Sequence, residues 1–307
     1  MSQSVLYDAL GPRARRRVTV WSVLALVLVV GLVVVAVRRL IDNGQFEAEK
    51  WSPFVDEPLV LQILLEGLRA TLQAAAYGIV FALVVGTLLG VGRLSTHRWI
   101  SWPCTVVIEW FRALPLLLVM FFFFLGVPAL TGINVEPLWS VVFGLTLYNG
   151  AVIAEIVRAG VLALPRGQRE AAHSIGLRDG QVMRLVLLPQ AFRIMLPVLI
   201  SQLVVLLKDS TLGFIIGYRD LLELSGTIHR NLDNPLQVYF VVAVLFILVN
   251  SLLSWVAHRV ESRQRRKFGT RARIDDVESA LGGGVGGTPV IATTPTPVGA
   301  GSAGGRR

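Results

Sequence analysis

Residues 18–37 read VTVWSVLALVLVVGLVVVAV, twenty positions from Val18 to Val37 without a charged side chain. As an α-helix rising 1.5 Å per residue, that run covers roughly 30 Å, the hydrocarbon thickness of a bilayer. In lipid only a helix or a closed barrel satisfies every backbone donor and acceptor, and so long an unbroken apolar run reads as the helix. Arg13, Arg15, Arg16 and Arg17 precede it. A secretory leader shows the same charge order, but its apolar core is only about 7–15 residues long and ends at a small-residue cleavage site. No Ala-x-Ala closes this run. It reads as a retained anchor, residues 18–40, behind a basic N-terminus, residues 1–17.

Five more apolar stretches follow: Leu61 to Val91, Cys104 to Val127, Leu138 to Ile156, Ile194 to Gly217, and Leu236 to Ala257. The second span carries Glu66 and Arg69 in its first turns, which therefore belong at the outer interface. The expected fold is all-α, a polytopic membrane protein of six transmembrane helices. Composition agrees. The chain is 54% hydrophobic and 16% charged, with a mean hydropathy of +0.65, whereas soluble domains carry about 25% charge.

The net charge of +9 does not indicate nucleic acid, because the basic residues sit beside apolar spans and form no patch interleaved with aromatics. Arginines cluster at 13–17, 93–98, 158–193 and 259–273, while segment 128–137 has no Lys or Arg and 218–235 balances Arg219 and Arg230 with Asp220, Glu223 and Asp233. Loop 38–60 opens with Arg38 and Arg39 but is rich in acids. An even number of spans with both termini in the cytoplasm satisfies every loop under the positive-inside rule. From about Asp275 the chain is Gly, Thr, Pro, Ala and Ser, a composition that cannot offset its chain entropy and is expected to be disordered.

Cys104 is the only cysteine, so internal disulfides and cysteine zinc sites are excluded. His97, His173, His229 and His258 are scattered without metal-ligand spacing. No Gly-rich loop ends in Lys-Ser or Lys-Thr, so the chain carries no Walker A phosphate cradle. Metal ligands and catalytic residues are not assigned.

The polar segment 158–193 separates the fourth and fifth spans. It contains Glu170-Ala171-Ala172, three residues, Gly176, nine residues, then Val186-Leu187-Leu188-Pro189. Pro165 and Gly167 punctuate it, and Gln168 to Ser174 is helix-compatible. Ala171 and Ala172 are expected to present a low face to another protein, and Gly176 suits a left-handed turn. The spacing resembles the EAA loop of ATP-binding-cassette importer permeases, with Val186 in place of Ile. The resemblance implies that Glu170, Ala171, Ala172, Gly176, Val186, Leu188 and Pro189 form the loop that couples to an ATPase subunit. Glu170 would make polar contacts there and Gly176 would set the bend.

The likeness extends over residues 60–258. Leu65-Glu66-Gly67-Leu68-Arg69-Ala70-Thr71-Leu72, Glu109-Trp110-Phe111-Arg112-Ala113-Leu114-Pro115, Ala154-Glu155-Ile156-Val157-Arg158-Ala159-Gly160 and Leu207-Lys208-Asp209-Ser210-Thr211-Leu212 resemble the polar amino acid uptake family. Ala113-Leu114 stands where that family has Gly-Thr before the proline. The resemblance implies a type I importer core of five helices, residues 60–258, to which the helix at 18–40 is added, followed by a basic, then disordered tail, 259–307. It also implies bacterial plasma-membrane localisation, ATPase subunits that bind ATP and Mg in place of any cofactor here, a second permease subunit and an extracytoplasmic amino-acid-binding protein. The likeness is nearest to actinobacterial glutamate permeases, including Val5 to Pro12, and glutamate is the expected cargo, with glutamine, aspartate or a basic amino acid as alternatives.

Four polar residues within the spans are candidates for the translocation pathway: Lys208, Asp209, Asn149 and Glu155. Lys208 lies roughly 21 Å into a helix entered at Ile194, where a charge costs a few kcal/mol and needs a partner or a wet cavity. It could meet a substrate carboxylate or a carboxylate of a neighbouring helix. Glu155 and Arg158 share a helix face three residues apart, as a structural pair or as substrate contacts. Gly86-x-x-x-Gly90 and Gly213-x-x-x-Gly217 are read as sites of close backbone approach, and Phe121 to Phe124 as facing lipid and neighbouring helices. Two rival readings remain. A secondary transporter predicts internal repeats with broken helices, and no convincing repeat is seen; a membrane hydrolase would need Asp209, Ser210 and His229 to converge.

Overall fold

The computed structural model describes residues 11–256 and Arg259. Expectations for residues 1–10 and for the tail beyond Arg259 lie outside it. The chain divides after Ala257.

Helix α1 (Pro12–Asp42) carries the opening apolar run, and the side chains of that run are exposed on every face. Two single-turn helices, Ala48–Trp51 and Pro53–Asp56, lead into α2 (Pro58–Arg93). Next come α3 (Arg98–Ala113), α4 (Leu116–Thr131), α5 (Pro137–Leu162) and α6 (Arg166–Ser174). Then follow α7 (Asp179–Ile216), α8 (Leu221–Leu232) and α9 (Pro235–Val256). Helices α1, α2, α5, α7 and α9 are each long and apolar enough to cross a membrane, and α3 with α4 makes a sixth crossing if taken as one broken span.

The third span is not the straight helix expected from Cys104 to Val127. It bends by 104° between α3 and α4, where Leu114 and Pro115 are extended and Pro115 caps α4. Proline disfavours the α conformation in the residue before it and cannot donate to a helical ladder. Hydropathy, which carries no direction, registers neither effect. Two further prolines leave milder marks. The helix widens to π geometry over Phe122–Gly126, just before Pro128, and over Val182–Leu187, just before Pro189. Each proline removes one donor from the ladder. The phenylalanine run divides at the first of these turns, with Phe121 and Phe124 packed on the core and Phe122 exposed.

Helices α2 and α5 form the most extensive pair. The α2 side of that contact is a stripe of small buried residues, including Ala74, Gly78, Ala82, Gly86 and Gly90. A Cβ on Gly86 would lie 2.7 Å from the carbonyl oxygen of Gly150, and one on Gly90 would lie 2.7 Å from that of Ala154. The partner of the Gly86/Gly90 motif is therefore α5. In lipid, helices associate through such van der Waals proximity, since burial against lipid gains little.

The second glycine pair differs from the expectation. Gly213 packs closely on Val141, but Gly217 has φ +77° and open space where a Cβ would stand. Gly217 ends the short 3-10 turn Ser210–Ile216 in the left-handed region, a helix stop rather than a contact. Beyond it the chain crosses α2. Tyr218 Oη donates to the Ala70 carbonyl at 2.7 Å, Leu221 N donates to Thr71 Oγ1 at 3.0 Å, and a Cβ on Gly67 would strike Leu221. Asp220 caps α8 by accepting from Glu223 N at 2.8 Å. Its other oxygen is buried without a partner, and burial pushes its carboxyl up to about 6.

Candidate functional site

The EAA segment begins where Pro165 breaks the chain after α5. Helix α6 is nine residues long and lies on the chain through one alanine: Ala172 is 5% exposed and belongs to the main hydrophobic cluster with Leu164, Val182 and Leu187. The low outward face expected of two alanines is therefore Ala171's alone, because Ala172 lies on the side of the helix that packs on the cluster. Glu170 is exposed beside Ala171. Gln190 of α7 secures the other flank, donating to Gln168 Oε1 at 3.2 Å.

Helix α6 stops in a braced turn. Gly176 has φ +83° with nothing near the position of a Cβ; its N–H donates to the His173 carbonyl at 2.9 Å, and Leu177 N donates to that of Ala172 at 3.2 Å. The His173 ring spans the turn, with Nδ1 3.1 Å from the Leu177 carbonyl and Nε2 3.3 Å from Asp179 Oδ1. Val186 and Leu188 are half-buried against the core, and Pro189 is exposed. The seven residues of the motif thus do different jobs. Glu170, Ala171 and Gly176 face outward, whereas Ala172, Val186 and Leu188 seat the loop on its own helices.

The four intramembrane candidates separate into two places. Asn149 is fully buried on α5 and accepts from Gln202 Nε2 of α7 at 2.8 Å. Asp209 lies within electrostatic reach of the Asn149 amide, although Asn149 Nδ2 completes no hydrogen bond. Lys208 is exposed at the end of the α-helical part of α7, and no ion pair engages it among the described residues. It faces a groove of about 560 Å³ between α7 and α9, lined also by Thr211, Tyr239, Phe246, Asn250 and Ser251. The buried Oδ1 of Asn250 is unpartnered.

Glu155 belongs elsewhere. Arg93, the last residue of α2, donates to Glu155 of α5 and to Glu109 of α3, the latter at 2.8 Å, and Arg158 lies 3.9 Å from Glu155. The Glu155–Arg158 pair read from spacing exists, but Arg93 is the nearer cation. Sequence reasoning missed Arg93 and Gln202 because the partners that tie them to α5, Glu155 and Asn149, lie more than fifty residues away. Among the described residues no group of three or more His, Cys, Asp or Glu is placed to hold a metal.

Residues 61–266 match the model of a family described as "binding-protein-dependent transport system inner membrane component". The chain belongs to this family. The permease is 44% identical over 243 residues to the glutamate transport system permease protein GluD of Corynebacterium glutamicum, across 76% of this chain and 86% of that one. It is 33% identical to the glutamate/aspartate import permease protein GltK of Escherichia coli, across 66% and 96%. The crystal structure of an amino acid ABC transporter with histidines superposes with a TM-score of 0.62 at 27% identity, covering 66% of this permease and 95% of that chain. The MetNI methionine transporter, at 24% identity and a TM-score of 0.57, shares the fold. This is an amino acid ABC importer permease, a multi-pass inner-membrane subunit without an ATPase site of its own. The family implies ATPase and substrate-binding partners.

Proposed function

We propose that this permease imports glutamate. The observation that carries the reading is the 44% identity to a glutamate permease over 243 residues, more of the chain than the 61–266 family core. Both termini lie in the cytoplasm, as the arginine distribution requires. The permease pairs with itself or a similar subunit, receives its cargo from an extracytoplasmic binding protein, and bears two ATPase subunits inside. Those subunits bind the ATP and Mg, and this chain needs no cofactor.

In this reading α6 is the coupling element. Closure of the ATPase subunits draws the outward face at Glu170, Ala171 and Gly176 inward, and the turn braced by His173 passes the displacement to α7 through the seat made by Ala172, Val186 and Leu188. Lys208 and Asp209 lie further along that helix, Asp209 near Asn149 and Lys208 towards α9, so the coupled helix also carries two of the pathway residues. Lys208, without an ion pair among the described residues, faces the groove and meets a carboxylate of the cargo in transit. No bond is made or broken in the permease.

The test is uptake of labelled glutamate in cells lacking this permease, complemented with wild type or Gly176→Asp, with membrane insertion of the variant checked alongside. Wild type restores ATP-dependent uptake and the inserted variant does not. Competition by unlabelled glutamine, aspartate and arginine assigns the cargo. If arginine competes and glutamate does not, the cargo is not glutamate.

A further inference from the structure

The α6 turn displays a residue that the EAA pattern leaves blank. Ile175 is 77% exposed, on a polar segment whose other outward side chains nearby include Arg169, Glu170, His173, Ser174, Arg178 and Asp179. An exposed isoleucine alone is ordinary on a protein surface. This one is held out by construction. The left-handed Gly176, the two backbone bonds that close the turn and the His173 bridge fix the chain on either side of it. The same turn sends Leu177, two residues on, back against the hydrophobic cluster. Ile175 adds nothing to that cluster, and the charged residues around it keep the segment out of the lipid.

We propose that Ile175 is the apolar anchor by which this permease docks on its ATP-hydrolysing subunit; the proposal rests on the coupling role given to α6. The chemistry of the surface defines the complementary site. It is a pocket that takes one branched aliphatic side chain, with a cation placed for Glu170 and an acidic rim for Arg166, Arg169 and Arg178. An anchor of this kind, central and desolvated on docking, dominates the energy of an interface, while the surrounding charges set orientation and encounter rate. Glu170 then selects the partner and Ile175 holds it.

The experiment uses the full permease co-expressed with a tagged copy of its importer's ATPase subunit, in a Cys104→Ser background that removes the only native thiol. Ile175→Cys and Glu170→Cys are each labelled in membrane vesicles with a thiol-reactive photo-crosslinker. Both positions are expected to capture the tagged subunit. In unlabelled permease, Ile175→Leu keeps uptake and Ile175→Asp lowers it about tenfold or more at equal membrane level. Capture from position 170 but not 175, or normal uptake with Ile175→Asp, overturns the anchor and leaves the coupling role standing. Capture from neither position overturns both.

Discussion

Arg93 closes the C-terminal end of α2 onto Glu109 of α3 at 2.8 Å, and with the same guanidinium it also holds Glu155 of α5. One side chain thus joins three helices, two of them the α2–α5 pair and the third the first arm of the bent span. The two acids are not equivalent. Glu155 is 25% exposed and Glu109 is 57% exposed, so water screens the second pair more. Glu155→Gln is expected to cost about 1–2 kcal/mol and Glu109→Gln less than about 1 kcal/mol. Thermal unfolding of the purified permease in detergent, with the two variants compared side by side, checks the order. Equal losses would contradict it.

The glycines separate packing from backbone conformation. Gly86→Ala places a Cβ 2.7 Å from the Gly150 carbonyl oxygen and from Ile153, so the α2–α5 pair must spread, at about 1–3 kcal/mol. Gly176→Ala meets open space but keeps a left-handed φ, a local strain of about 1–2 kcal/mol. The first variant is expected to lower melting temperature and membrane level. The second is expected to leave assembly nearly intact and to reduce transport per inserted molecule.

Lys208 offers a test in which insertion and transport move in opposite directions. Removing a charge from a span relieves about 2.5–3.5 kcal/mol on insertion scales. Lys208→Met should therefore insert at least as well as wild type while uptake falls about tenfold or more, the loss of one charge-assisted contact. Lys208→Arg should keep part of the activity. Full uptake by the methionine variant would remove Lys208 from the pathway.

Asp220 predicts a pH dependence of stability. Its carboxyl is pushed up to about 6 by burial, against about 3.9 in the unfolded chain. Between those values the folded permease binds the extra proton. Its contribution is therefore complete below about pH 4 and is lost as pH rises through 6. Asp220→Asn keeps an oxygen for the Glu223 amide and cannot ionise. Melting temperature measured from pH 4 to 7 should fall in wild type and fall less in the variant.

The spans were legible because long apolar runs and arginine placement are local properties of the chain. The bend at Leu114–Pro115 was not, since proline's effect on direction depends on what the two arms pack against, and α3 has Arg93 and the C-terminal end of α2 to lean on. In the EAA segment the spacing located the turn and the need for glycine. Which alanine turned inward was not legible, because nine residues give too few helical repeats to fix a face. Gly213 and Gly217 show the same limit: one spacing served a contact at its first position and a helix stop at its second. Gln202 and Arg93 were invisible because a charge or amide reveals its partner only once distant helices are side by side.

The stripe of small residues along α2 bears on how such a permease moves. Gly86 and Gly90 bring α2 against the carbonyls of Gly150 and Ala154 and against the side chains of Ile153 and Val157, so at neither point is there room for a side chain on α2. Helices α2 and α5 then travel as a single strut. Changes of angle are then left to the elbow between α3 and α4 and to α7, whose π and 3-10 turns already depart from a straight rod. The permease reads as a chassis with two articulated limbs.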